Sequence, residues 1–533
     1  MTVTIISPAR SLGSRRETRS VPFHALVCRV AVALALSVGC QSALGQAMFR
    51  IKPIGPIRVC DPVVDNMPQV TGFNNAGAVV GAACNANGDA HAFVWRNNGK
   101  PMVDLGPAEL GSTSRASGIN ASGLVVGSAT DSTGTYGFLS YGNGAPMTKI
   151  RNRLGGAWAT ANAVNDSGQV TGEAENSPPN AGTSDAFLWN SNGSPMIDLP
   201  GFGWPSTYGL FINASGQVAG AQNDGDRTTS TVIWENDGSP AIFLEGGGIG
   251  MGPCCINASG QVAGNFSVSG YSHPHGFVWR NDGTGMHDLG TLPGGSLSAA
   301  HAQNDSGQVA GASWTGYFVK ERAVVWMNDG TPIKNLGALG GSNSQSNDIN
   351  ASGQVTGWSN IAGDAAVHAF LWRNNGTKMQ DLNNLIDPTD PLKPYVILVE
   401  GNFINDSGDI LADGIDSRTG MTAPYLLQGT VLTLSPRALA FGNQLLNTAS
   451  SAKSVTVTNT SAKVVAITSI AMTGTGSSQF ASSSNCGSSM VAHATCTIKV
   501  TFRPTTKGAK SATLNVNGGG GGLRTVNLTG TGT

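Results

Sequence analysis

The sequence predicts an all-β protein: a β-propeller, with eight blades favoured over seven, followed by an immunoglobulin-like β-sandwich. Three observations carry this. A turn motif, Asn-x-Ser/Ala-Gly before a short apolar run, returns eight times, with its glycines at Gly77, Gly123, Gly168, Gly216, Gly260, Gly307, Gly353 and Gly408. The steps are 46, 45, 48, 44, 47, 46 and 55 residues, a period at which one unit cannot bury its own apolar face and must stack on its neighbours. A second hairpin follows in most units: aromatic-x-Trp, then Asn/Asp-Gly, then an apolar strand ending Asp-Leu. Beyond about Val431 the period stops and Ser/Thr-rich alternation begins.

Residues 1–47 are expected to be an export signal cleaved near 45–47. Arg15, Arg16 and Arg19 precede the apolar run Val30 to Val38, and small residues follow at Ala43-Leu44-Gly45 and Gly45-Gln46-Ala47. The run is short for a membrane span, leaving no transmembrane segment after cleavage. A lesser alternative is lipid attachment at Cys40: Ser37-Val38-Gly39-Cys40 resembles a lipoprotein site, with serine where leucine is expected.

Residues 48–430 hold the repeat. In the unit that starts near Ser112, Ser114 to Ile119 form one strand, Asn120-Ala121-Ser122-Gly123 turn, and Leu124-Val125-Val126 return. Asparagine can bond the backbone ahead of it, and glycine takes the left-handed position of a three-residue hairpin loop. Phe93-Val94-Trp95 with Asn98-Gly99, and Phe370-Leu371-Trp372 with Asn375-Gly376, show the second hairpin, the strongest short-range signal of its kind. Each unit is therefore a four-stranded meander. Trp95, Trp189, Trp234, Trp279, Trp326 and Trp372 are expected to wedge between blades. The last unit lacks an Asp-Leu strand, and Phe49 to Gly55 reads as an orphan fourth strand that would close the ring. Seven blades stays open because the last unit is irregular.

The repeat, with His91-Ala92-Phe93 and His368-Ala369-Phe370 and the degenerate His275-Gly276-Phe277 and Asp185-Ala186-Phe187, resembles the bacterial extracellular HAF repeat family. That resemblance spans roughly Met48 to Leu427 and implies an extracellular place and no established activity. The tail, 431–533, resembles choice-of-anchor D domains, relatives of the sperm-protein-like sandwich modules, through Leu439-Ala440-Phe441-Gly442, Val457-Thr458-Asn459-Thr460, Asn485-Cys486-Gly487, Phe502-Arg503-Pro504 and Leu528-Thr529-Gly530-Thr531-Gly532. Its alternating strands by themselves suit an immunoglobulin-like sandwich.

Composition narrows the function. Charged residues are 12% of 533, against about 25% in ordinary domains, and 31 basic against 32 acidic residues leave a net charge of -1. No basic patch stands out, which argues against nucleic acid as a partner. In an exported chain, Cys486 with Cys496 is the best disulfide and Cys60 with Cys84 a further one, while neighbours Cys254 and Cys255 are left open. No cofactor or metal is expected: metal-ligand spacings are missing, and turns such as Asn165-Asp166-Ser167-Gly168 offer one carboxylate where calcium needs several. The Asn-x-Ser turns are explained by turn chemistry rather than glycosylation.

No nucleophile elbow, zinc-protease motif or phosphate loop occurs. His273, His275 and His287 share one unit without ligand spacing. The expectation is a non-enzymatic binding protein, with Trp158, Trp204, Trp314, Trp358, Tyr208, Tyr271 and Tyr317 in variable connections on one face of the ring, suited to an extracellular glycan or a surface protein. One alternative is a polysaccharide hydrolase or lyase with its site in the channel, using carboxylates such as Glu173, Glu175 or Glu321. A second is a purely structural envelope component.

Overall fold

The computed structural model describes residues 49–55, 69–107, 109, 111–152, 154–176, 183–191, 194–202, 206–223, 229–248, 252–267, 273–316, 319–429, 432–460, 464–518 and 522–533. The segment expected to be an export signal, with Cys40, lies outside the described residues. The described chain is all-β, with short 3-10 turns and no α-helix. Among the described residues, no helix is long and apolar enough to cross a membrane.

From Gln69 to Gly429 the strands fall into consecutive antiparallel meanders, each built around one Asn-x-Ser/Ala-Gly turn. The last is completed from the start of the chain. Phe49–Pro53 pairs antiparallel with Met421–Gly429, Phe49 opposite Gly429 and Pro53 opposite Tyr425. The expectation that this segment supplies the missing fourth strand is met. It is pinned from the side as well, since Ile51 N donates to Asp390 Oδ2 at 2.9 Å and Asp387 N donates to Phe49 O at 2.9 Å.

The aromatic-x-Trp strand is apolar throughout because both of its faces are covered. In Val367–Trp372, Phe370 and Trp372 pack on Ala310, Ala323, Val325 and Leu336 of the preceding unit, while Leu371 packs on Leu398, Ile404 and Ile410 of the following one. Alternate side chains of one strand thus serve two interfaces. Trp95, Trp234, Trp279, Trp326 and Trp372 are buried and Trp189 is half-buried. Each fully buried ring contributes about 2–3 kcal/mol.

The turn asparagines do more than make turns. In each, Oδ1 accepts backbone N–H groups ahead of it, as Asn213 does from Ser215 N at 3.1 Å and Gln217 N at 3.0 Å. The amide nitrogen then donates to the turn asparagine carbonyl of the next unit. The series runs Asn74 to Asn120, Asn120 to Asn165, Asn165 to Asn213, Asn213 to Asn257, Asn257 to Asn304, Asn304 to Asn350 and Asn350 to Asn405, at 2.9–3.4 Å. Asn405 donates back to Asn74 O at 3.3 Å, so the series returns to its start. All eight side chains are buried. Where the next residue is aspartate, its carboxylate bridges backward: Asp166 accepts from Ala121 N, Asp305 from Ala258 N and Asp406 from Ala351 N, at 2.8–2.9 Å.

Every unit also carries a β-bulge in its first strand, where the register with the second strand slips by one residue. In most units the bulge faces the last glycine of the repeat, while the last unit has Ala412 there. A Cβ at Gly127, Gly172, Gly220, Gly311 or Gly357 would stand 1.9–2.0 Å from a first-strand carbonyl oxygen, so no larger residue fits.

The tail forms two sheets. One has the order Leu432–Ser435, Lys453–Asn459, Thr495–Phe502, Phe480–Ser484; the other runs Ala438–Gln444, Gly522–Gly532, Gly508–Gly518, Val465–Thr473, Ser489–Met490. Val455, Val457, Ile498, Val500 and Phe502 from the first and Leu514, Val516, Val526 and Leu528 from the second share one core. Their alternation with exposed residues matches strands buried on one face. Cys486 and Cys496 are disulfide-bonded, with Cα atoms 5.1 Å apart. Cys84 is also in a disulfide; Cys60, expected as its partner, lies outside the described residues.

Candidate functional site

In four units the bulge places a side chain that bonds the next unit. Thr71 Oγ1 donates to Ala116 O, Asn162 Nδ2 to Gly209 O and Asn347 Nδ2 to Gly401 O, at 2.8–3.2 Å. His301 Nδ1 is 2.7 Å from Ser346 O, the corresponding carbonyl. The histidine therefore does a structural task, and burial pushes its pKa down.

On the side of these bulges away from the asparagine turns, the inner strands carry aromatic and acidic groups at matching levels. Tyr208 stands five residues before Asn213 on Ser206–Ile212, and Trp358 is opposite Gln345, five before Asn350. Trp158 stands seven before Asn165, and Trp314 is opposite Leu297, seven before Asn304. All four are half-buried. The expectation that they occupy connecting loops is corrected: Trp158 lies in Gly155–Val164, Trp314 in Val309–Thr315 and Trp358 in Val355–Ile361. The inner hairpins run further from their turns than the hydrophobic pattern suggests, because their distal residues pair through the backbone while carrying polar or aromatic side chains. Trp204, Tyr271 and Tyr317 lie outside the described residues.

At the same levels sit carboxyl groups whose pKa values burial raises. Glu173, opposite Thr160, accepts from Ser184 Oγ at 3.3 Å. Glu321, opposite Trp314, is pushed up to about 7 by burial. Glu400 and Asp413 are direct cross-strand neighbours, both raised by burial, and Asp413 further raises Glu400. Asn347 Nδ2 donates to Glu400 Oε1 at 2.8 Å and Asn402 Nδ2 to Asp413 Oδ2 at 2.9 Å. Sequence reasoning named Glu173 and Glu321 but missed Glu400 and Asp413. Their spacing of 13 residues shows no motif, and the hairpin between them joins them.

A separate pocket of about 430 Å³ lies where the first two units meet, lined by Val103, Leu105, Tyr136, Met147, Lys149 and neighbours. Its size suits a small ligand. Its strongest polar group is already saturated: Asp131 accepts from Lys149 Nζ at 2.6 Å, Tyr136 Oη at 2.9 Å and Thr133 Oγ1 at 2.6 Å. Lys149 holds the Asp131 carboxyl far below the usual range, and Lys149 Nζ sits 4.0 Å from the centre of the Tyr136 ring. Burial, reinforced by Asp131, raises the Tyr136 hydroxyl to about 12. Neither group is poised to exchange a proton near neutral pH.

The repeat histidines meet the aspartates of the Asp-Leu strands. His91 Nδ1 is 2.9 Å from Asp104, His275 Nδ1 2.9 Å from Asp288 and His368 Nδ1 2.8 Å from Asp381. His287 Nε2 lies 2.6 Å from Thr284 Oγ1 instead. A pair that recurs in three units at one place between outer strands is part of the scaffold. The third unit breaks the pattern: by register, Asp185 takes the histidine position and Asp198 the aspartate position. Burial, with the Asp185 charge, pushes Asp198 up to about 6. A carboxyl raised from about 3.9 in the unfolded chain loses native stability as pH climbs from about 4 to about 6. Asp185→His is therefore expected to stabilise the fold by about 1 kcal/mol above pH 6 after solvent screening, raising Tm, with less gain at pH 4. Thermal unfolding at both pH values checks it, and a loss of stability at pH 7 would count against the pairing.

Among the described residues, no group of three His, Cys, Asp or Glu side chains could hold a metal ion. No family model and no curated protein matches the chain. Solved structures match parts of the chain at low identity and low structural similarity. The β-propeller domain of the Trilobed protease from Pyrococcus furiosus is 9% identical with a TM-score of 0.37, covering 59% of this chain and 97% of its own. YCF48 bound to D1 peptide is 10% identical with a TM-score of 0.35, covering 72% and 94%. The ASH/PapD-like domain of human CEP192 is 13% identical with a TM-score of 0.16, covering 20% of this chain and 86% of its own.

Proposed function

We propose that this chain is an exported, non-catalytic binding scaffold: an eight-bladed propeller of HAF type followed by an immunoglobulin-like module of choice-of-anchor D type. Its ligand is an extracellular polysaccharide, held at the ends of the inner strands away from the asparagine turns. The observation that carries the reading is the arrangement of Trp158, Tyr208, Trp314 and Trp358, half-buried in four different units at two adjacent levels of the strands. Aromatic faces stack on apolar sugar faces, and carboxyl groups such as Glu173 and Glu321 accept or donate to hydroxyls in their raised-pKa state. The His–Asp pairs and the turn asparagines are engaged in holding the scaffold together.

The test is a tryptophan-fluorescence titration of the mature protein with neutral oligosaccharides. Saturable quenching is expected, with Trp358→Ala weakening binding about tenfold, as loss of one stacking anchor does. Asn98→Ala, in a distant turn, should leave affinity unchanged. Absence of saturation across a glycan array, or equal affinity for both variants, would remove the glycan reading.

A second reading rests on Glu400 and Asp413, whose side-by-side placement with raised pKa values suits glycoside cleavage. Release of reducing ends by the native protein, lost in Glu400→Gln, would make it the better one.

A further inference from the structure

In the fifth unit the bulge of Gly252–Ile256 falls on Cys254 and Cys255, with the register slipping between Pro253 and Cys255. In a regular strand, neighbouring side chains point to opposite faces. A bulge re-aims one of them. The seventh unit shows the consequence at the same place: Asn347 donates to Gly401 O and the next residue, Asp348, accepts from Ile404 N, so both adjacent side chains reach the following unit. The two cysteines occupy the matching positions, and their Sγ atoms lie 2.8 Å apart. Both are thiols here and half-buried.

Both pack against the apolar cluster that includes Ala263, Leu292 and Ala300, and neither is needed to bond the next unit. Thr71, Asn162, His301 and Asn347 use the bulge position to bond the next unit. In the fifth unit that task has moved to Asn265 on the second strand, whose Nδ2 donates to Ala300 O at 3.1 Å and whose Oδ1 accepts from Ala300 N at 2.8 Å. The bulge position is thereby relieved of its structural hydrogen bond in the one unit that places two thiols there.

We propose that Cys254 and Cys255 form a reversible disulfide between adjacent residues, a redox-responsive site on an inner strand of the ring. The co-reactant is a small-molecule or protein disulfide. The Cys254 thiolate attacks one of its sulfurs and expels a thiol, leaving a mixed disulfide on Cys254. The Cys255 thiolate then attacks Cys254 Sγ and expels the second thiol. Two protein S–H bonds are lost, one S–S bond forms, and the oxidant disulfide is reduced to two thiols. Adjacent Cα atoms are about 3.8 Å apart, below the usual span of about 4.4–6.8 Å for bridged cysteines. Such a bond is held under strain and reduces more readily than the bridge from Cys486 to Cys496, whose Cα atoms are 5.1 Å apart.

The experiment uses the mature protein equilibrated with oxidised glutathione, then alkylated under denaturing conditions and mapped by mass spectrometry. The peptide bearing Cys254 and Cys255 is expected to be unalkylated and two hydrogens lighter than the dithiol. Graded dithiothreitol should open it at about tenfold lower concentration than the Cys486–Cys496 peptide. Alkylation of both cysteines after oxidation, a glutathione adduct that persists on Cys254, or a bridge from either cysteine to another would each overturn the proposal. So would opening no earlier than Cys486–Cys496. Cys255→Ala, which keeps the bulge and removes the resolving thiol, should instead retain the glutathione adduct, and rapid loss of that adduct would also count against it.

Discussion

Replacing Asn213 by aspartate is expected to destabilise the ring by about 3 kcal/mol at pH 8, and by much less at pH 4. The substitution keeps the oxygen that accepts from Ser215 N and Gln217 N, so the local turn survives. It removes the amide that donates to Asn257 O at 3.2 Å and to Gln217 Oε1 at 2.5 Å. A carboxylate there faces two acceptor oxygens at a buried position, and its proton is held more tightly in the folded chain than in the unfolded one. The folded pKa is thus raised, and stability falls as pH rises through the interval between the two values. Below that interval the protonated carboxyl donates in place of the amide. Asn213→Ala removes both roles and should destabilise with little dependence on pH. Urea unfolding at pH 4 and pH 8, followed by tryptophan emission, separates the cases. If Asn213→Asp unfolds at the same urea concentration as the parent at both pH values, the asparagine series contributes no stability.

Deleting Phe49–Pro53 should have the larger effect. The segment buries Phe49 and Ile51, and Ile54 follows it into the core. At about 2 kcal/mol for each of Phe49 and Ile51, the direct loss is about 4 kcal/mol, a large share of the net stability of many domains. It also uncovers Met421–Gly429 as an edge that can pair with another chain. The shortened protein is expected to lose its cooperative thermal transition or to associate through that edge, read by calorimetry and light scattering. A peptide of residues 48–55 added in trans should restore the monomeric, cooperative form. A shortened protein that stays monomeric with unchanged Tm would mean that closure is not made by this strand.

Much of the architecture was legible because it rests on local physics repeated in register. Asn-x-Ser/Ala-Gly makes a turn whatever surrounds it, aromatic-x-Trp makes a strand covered on both faces, and a 46-residue step between Gly77 and Gly123 forces stacking. The orphan strand at Phe49 was legible by subtraction, since the last unit lacked a partner. The alternation at Val455 and Val457 likewise announced the tail sheets.

What tertiary structure alone decided lies between units. The asparagines looked fully explained by their turns, and only the next unit's carbonyl reveals their second bond. The bulge leaves no mark in hydrophobic periodicity, yet it sets the contacts of His301, the glycine requirement at Gly127 and Gly172, and the approach of Cys254 to Cys255. Trp314 and Trp358 read as loop residues because polar neighbours mask a strand, while backbone pairing continues regardless of side-chain polarity. Glu400 and Asp413 are 13 residues apart and become neighbours through one hairpin register. A sequence states the periodicity of its own strands, but the contact of one strand with another, a bulge or a neighbouring unit depends on register, and register is set by the packing of both partners together.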